Sequence, residues 1–190
     1  MRGMIALALL LGLSSAPANP VMISEFAKTC AASRSKQTLI SALAADGWKA
    51  FPTLAQSHLE HELTMVAPML EAQGLASDYT VYGLDTGGRH FELAVSETKK
   101  RIAGGRKLIG CSLYDFDATA PIDGASLDAL APATVGQKTA MGDVQIEKWD
   151  APFGAGSGMR AVYVPAASPA KAQIGFSGMM LGTHFLDAAE

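Results

Sequence analysis

Charge is scarce in this chain and cysteine scarcer: Asp, Glu, Lys and Arg make up 17% of 190 residues, and there are two cysteines. So little charge, beside abundant apolar and small residues, excludes the composition of a disordered segment. Two cysteines without a C-x-x-C spacing exclude a thioredoxin-type redox centre. With 18 acidic against 15 basic residues the net charge is −3, so nothing pulls the whole chain toward nucleic acid or an anionic membrane. Stacking aromatics are not interleaved with the basic residues, which removes the usual signature of a single-strand nucleic-acid groove.

Enzyme signatures are missing as well. His58-Leu59-Glu60-His61-Glu62 has its histidines three apart, whereas a zincin-type helix needs them four apart with glutamate directly after the first. Gly154 to Gly158 is glycine-rich, but Met159 to Tyr163 directly after it reads as a strand and not as the Lys-Ser/Thr helix start of a phosphate loop. Gly175-Phe176-Ser177-Gly178 lacks the glycine pattern of a hydrolase elbow. No cofactor is implied by any motif.

What is present begins with a leader. Arg2, the apolar run Met4 to Leu13 and the small residues of Ala16-Pro17-Ala18 form a signal-peptide pattern. The run is far short of the roughly 20 residues of a spanning helix, so no transmembrane segment is expected there. The expectation is export, periplasmic or secreted, with residues 1–18 removed near Ala18 and residues 19–190 forming one domain. A chain of that length buries about 70% of its unfolded surface. In an oxidising compartment Cys30 and Cys111 are expected to pair, two buried thiols being the alternative.

Leu108 to Phe116 reads as the central strand, with Ile109, Cys111 and Leu113 on one face and Leu108, Ser112, Tyr114 and Phe116 on the other. Helical spacing precedes it: a first helix from Asn19-Pro20 carrying Cys30, a second over about Lys36 to Ala45, and a third over about Thr53 to Ala72. Pro68 predicts a kink or an end of the third near Val66. From Tyr79 the period changes to two, giving strands near Tyr79–Tyr82, Arg89–Ser96, Val144–Trp149, Met159–Val164 and Ile174–Phe185, with a short helix at Asp123–Leu130. The fold class expected is α+β in two layers, the N-terminal helices packed on a mainly antiparallel sheet of about five to six strands.

Three groups of residues carry candidate chemistry. His58, His61 and Glu62 share one side of a helix and could hold a metal, with a solvated helix face as the competing reading. Lys99, Lys100, Arg101, Arg106 and Lys107 crowd one hairpin connection and, with Ser157 and Arg160, could meet an envelope protein or an anionic envelope ligand. The same lysines would also solubilise a strand edge. Asp115 and Asp117 end the central strand at a spacing of two, where paired carboxylates could share acid–base work or simply cap a turn. The expectation is a non-catalytic binding protein of the cell envelope. An envelope hydrolase or metal-binding protein is the alternative, using Asp115 and Asp117 or the His58, His61 and Glu62 group. Nothing in the chain specifies an oligomeric state.

Overall fold

The cysteine strand lies in the middle of an antiparallel sheet, in a computed structural model that describes residues 20–102, 105–132, 134 and 136–187. The expected leader and its cleavage point fall outside the described residues. The sheet has eight strands: β1 (Lys49–Ala50), β2 (Ser77–Thr86), β3 (Arg89–Thr98), β4 (Leu108–Asp115), β5 (Gln137–Met141), β6 (Val144–Asp150), β7 (Gly158–Val164) and β8 (Gly178–Leu186). Their order is β1-β2-β3-β4-β8-β7-β6-β5, with every neighbouring pair antiparallel. Two four-stranded meanders thus meet along β4 and β8, each formed largely by turns between consecutive strands.

Eight strands replace the expected five to six, and the two extra ones are the sheet's edges. β1 has only two residues, and β5 is exposed at all five of its positions. Neither can show the apolar alternation on which a strand is recognised.

Helices α1 (Pro20–Phe26) and α2 (Lys36–Ala45) flank a short π-helical turn, Ala27–Ala31, that carries Cys30. Thr29 and Ser33 hydroxyls donate to the carbonyls of Glu25 (2.6 Å) and Thr29 (2.7 Å), four residues back along this stretch. Ser35 then starts α2 with a capping box closed by Thr38. Cys30 and Cys111 are disulfide-bonded, their Cα atoms 5.5 Å apart and their positions 81 residues apart in sequence. Closing a loop of that length contributes about 4 kcal/mol on the chain-entropy account.

The α+β class holds, but the helices do not share one apolar cluster. Met22, Phe26, Leu39 and Leu43 pack with Phe91, Leu93, Val95, Ile109, Leu113 and Leu181, and α4 (Gly124–Leu130) adds Leu127 to that cluster. Leu59 and Leu63 join a second cluster with Val81, Ala94, Tyr114, Val162 and Met180. Ala94 and Tyr114 alternate with Leu93 and Leu113, so the two clusters lie on opposite faces of the sheet. Helix α3 is shorter than expected: Leu54–Gln56 is a 3₁₀ turn and the helix runs Glu60–Ala72. It continues through Pro68, because Thr64, whose carbonyl loses its donor there, is exposed and water can replace the missing bond.

Candidate functional site

The face that carries α3 is only partly covered, and its register explains what lies open. Reading across the sheet, one row runs Tyr79, Ser96, Gly110, His184, Gly158 and Asp150. The next runs Val81, Ala94, Ser112, Gly182, Arg160 and Lys148. Where β3, β4 and β8 meet, every residue of both rows except His184 is Gly, Ala or Ser. The absence of bulky side chains leaves a groove of about 360 Å³, closed on one side by Leu70 and Leu75 at the end of α3. Its size is that of a small-ligand site.

The glycines of this floor sit tight against neighbouring side chains. A Cβ on Gly110 would collide with the Ser96 hydroxyl, and one on Gly158 would collide with the His184 ring lying across it. A Cβ on Gly182 would sit 3.0 Å from Ser112 Oγ and 3.5 Å from Arg160 Nε.

Electrostatics give the groove a sign. Arg160, Lys148 and His184 line it, with Asp150 as the acid among its lining residues. Among the described residues neither Arg160 nor Lys148 forms an ion pair. Burial, and then the nearby Arg160 charge, hold the His184 imidazole below its ordinary pKa.

Beside Ser112, in the next row, the Tyr114 hydroxyl donates to Glu62 Oε1 at 2.9 Å. Glu62 is buried, and among the described residues its Oε2 has no hydrogen-bond partner. Burial pushes Glu62 up to about 7, against the pull of the Tyr114 hydrogen bond and the Arg160 charge. Burial also raises Tyr114 well above the usual phenol value, with Glu62 adding to the effect. Helical spacing alone puts Glu62 on a wet helix face. It is instead an inward residue, because α3 packs through Leu59, Glu62 and Leu63.

His58, His61 and Glu62 do not converge. His61 is exposed, Glu62 points to Tyr114, and His58 turns the other way, onto Glu92 of β3. Both Glu92 oxygens accept the His58 backbone N–H at 3.1 Å, and Oε1 lies 2.7 Å from His58 Nδ1. His90, two residues before Glu92 on the same face, brings Nε2 to 3.6 Å from that oxygen. Its Nδ1 lies 2.7 Å from Asp85 Oδ1, the residue opposite it on β2. The ligand atoms of His58, His90 and Glu92 all fall within 4.8 Å of one another. No sequence spacing announces this group, since it joins a pre-helical turn to a strand 34 residues later.

The remaining candidates are spread out. Lys107 pairs with Glu97 at 2.9 Å, and Lys36 reaches the same carboxylate. Lys99 lies 3.7 Å from Asp78, Arg101 donates to the Gly105 carbonyl at 2.8 Å, Lys100 is exposed and Arg106 half-buried. Ser157 is occupied within its own loop, accepting from Phe153 N and donating to Gly154 O. Asp115 is buried, accepting from Arg89 Nη2 at 2.7 Å and from Asp117 N at 3.2 Å, while Asp117 is exposed. The two aspartates therefore form a turn, with the second carboxylate in water.

A second groove, of about 720 Å³, lies on the other face under α4 and is walled by Ile122, Leu127, Tyr163 and Met179. Its charged residues are Asp123, Glu147 and Lys138, the lysine Nζ lying 3.8 Å from Glu147 Oε1, so acids outnumber bases there. Of these two grooves, the one over the glycine floor carries the excess of basic residues. Comparison of the chain with known protein families, curated proteins and solved structures found no match, so its chemistry is read from these side chains alone.

Proposed function

We propose that this is an exported envelope protein that binds a small anionic ligand in the groove over β3, β4, β8 and β7. The observation that supports this reading most is that Arg160 and Lys148, which form no ion pair among the described residues, stand beside a floor of Gly110, Gly182, Ser96 and Ser112. Serine hydroxyls supply short-range hydrogen bonds to a ligand, and Arg160 supplies a fork of donors suited to a carboxylate or phosphate. Of the residues expected from sequence to bind, Arg160 is the one that lines this groove. Export is supported by the Cys30–Cys111 bond together with the leader pattern of residues 1–18. Among the described residues no helix is long and apolar enough to cross a membrane.

Binding without catalysis fits the side chains better than a hydrolase. Asp115 is engaged by Arg89 and does not face Asp117 as an acid–base partner. The test is a melting-shift and calorimetric series with inorganic phosphate, citrate and glycerol 3-phosphate. A ligand at about 100 times its Kd stabilises the fold by about 2.7 kcal/mol, and Arg160→Ala should abolish that gain. Failure of all three anions to bind, or an equal gain in Arg160→Ala, would remove the groove from the reading.

A further inference from the structure

We propose that His58, His90 and Glu92 form a binding site for a borderline divalent cation of the Zn²⁺ class, apart from the groove. Three protein ligands, two imidazoles and one carboxylate, are a donor set such ions favour, with a fourth position left for water.

Two of the three ligand-atom spacings lie near those of a loaded site, and all three are within 4.8 Å. Metal–ligand bonds of roughly 2.0–2.1 Å in tetrahedral array place ligand atoms about 3.3 Å from each other. His90 Nε2 and Glu92 Oε1 are already 3.6 Å apart, and His58 Nδ1 and that oxygen are 2.7 Å apart. Loading thus needs His58 to withdraw by about 0.6 Å. The His58 side chain is 70% exposed and free to do so, whereas the Glu92 side chain is 1% exposed and held by the His58 backbone N–H.

The surroundings of His90 point the same way. With Nδ1 turned to Asp85, His90 directs Nε2 at a Glu92 carboxylate oxygen 3.6 Å away, leaving a position between them for a cation. A carboxylate behind a histidine in this manner is the usual outer support of a metal-binding imidazole, fixing its tautomer and raising its basicity. Gly83, opposite Glu92 in the register, leaves the room: a Cβ there would meet Phe51 at 3.0 Å and the His90 ring at 3.4 Å. Phe116, with its ring centroid 5.2 Å from that of His58, adds an apolar wall. The exposed side, between the two imidazoles, is where a water ligand or an exchangeable group would sit.

A capping role for Glu92 at the start of α3 predicts the same hydrogen bonds to His58 but no affinity for metal, and the experiment separates the two. Purified, metal-stripped full-length protein is titrated with Zn²⁺ by calorimetry and with Co²⁺ by visible absorption, and folding of each variant is checked by far-UV circular dichroism. The wild type should take up one ion per chain, with Co²⁺ giving the intense bands of a four-coordinate site. His90→Ala should weaken binding about 100-fold and Asp85→Asn about 10-fold or more. His61→Ala and Arg160→Ala should bind as the wild type does, which keeps the outcome independent of the anion groove. No saturable uptake by the wild type would overturn the site, and so would wild-type affinity in folded His90→Ala or loss of binding in His61→Ala.

Discussion

Replacing Glu62 with Gln should convert a pH-dependent fold into a much flatter one. Burial lifts the Glu62 carboxyl from an ordinary 4.5 to about 7. Between those two values the folded chain holds a proton that the unfolded chain has released. Each rise of one pH unit in that window therefore costs the folded state about 1.4 kcal/mol. The stabilising proton is fully present below about pH 4.5 and is lost as pH rises through about 7, a total on the order of 3 kcal/mol. Glutamine cannot titrate, and its carbonyl oxygen can still accept from the Tyr114 hydroxyl. Glu62→Gln should therefore match the wild type near pH 4 and exceed it near pH 8 by on the order of 3 kcal/mol. In urea unfolding followed by circular dichroism, that difference moves the midpoint by roughly 1–2 M. Other groups titrate in both proteins, so the difference between the two curves isolates Glu62. Parallel curves across the window would refute the reasoning, since they would mean that the Glu62 carboxyl is hydrated and ordinary.

Removing the disulfide by Cys30→Ala with Cys111→Ala should lower unfolding free energy by about 4 kcal/mol, measured by urea titration of the non-reduced wild type against the variant. Gly178 has φ of 106° and a Cβ there would collide with the Asp115 carbonyl oxygen, so Gly178→Ala should cost about 3 kcal/mol or more in thermal unfolding. Arg89→Ala takes the guanidinium from a buried Asp115, and a loss of about 3 kcal/mol is expected by the same assay. Gly182→Ala leaves the backbone φ ordinary but puts a methyl among Ser112 and Arg160, so it should weaken anion binding in calorimetry more than it lowers the melting temperature.

The sequence displayed the core more clearly than the site. Ile109, Cys111 and Leu113 alternate with Ser112 and Tyr114, and that alternation is the division between the two faces of the sheet. The helix–sheet bond from Cys30 to Cys111 is legible from two cysteines and an export pattern. Edge strands escaped because five exposed residues of β5 carry no period. Glu62 escaped for a different reason: helical spacing assigns a direction only when the apolar stripe is broad, and α3 buries a carboxyl between two leucines. The groove was invisible because Gly110, Gly158 and Gly182 look like weak points in three separate strands. Only pairing in register brings them side by side, and pairing is a property of the whole sheet. His90 and Glu92 read as alternating strand residues until a turn from before α3 lays His58 against them.

The most direct measurement is a two-dimensional ¹H–¹⁵N titration of the mature protein with inorganic phosphate, which reports where on the chain an anion settles. Saturable shifts at Gly110, Ser112, Gly182 and His184, absent in Arg160→Ala, are the predicted result. Shifts confined to the Lys99 to Lys107 connection, or shifts that never saturate, would contradict the assignment of the groove.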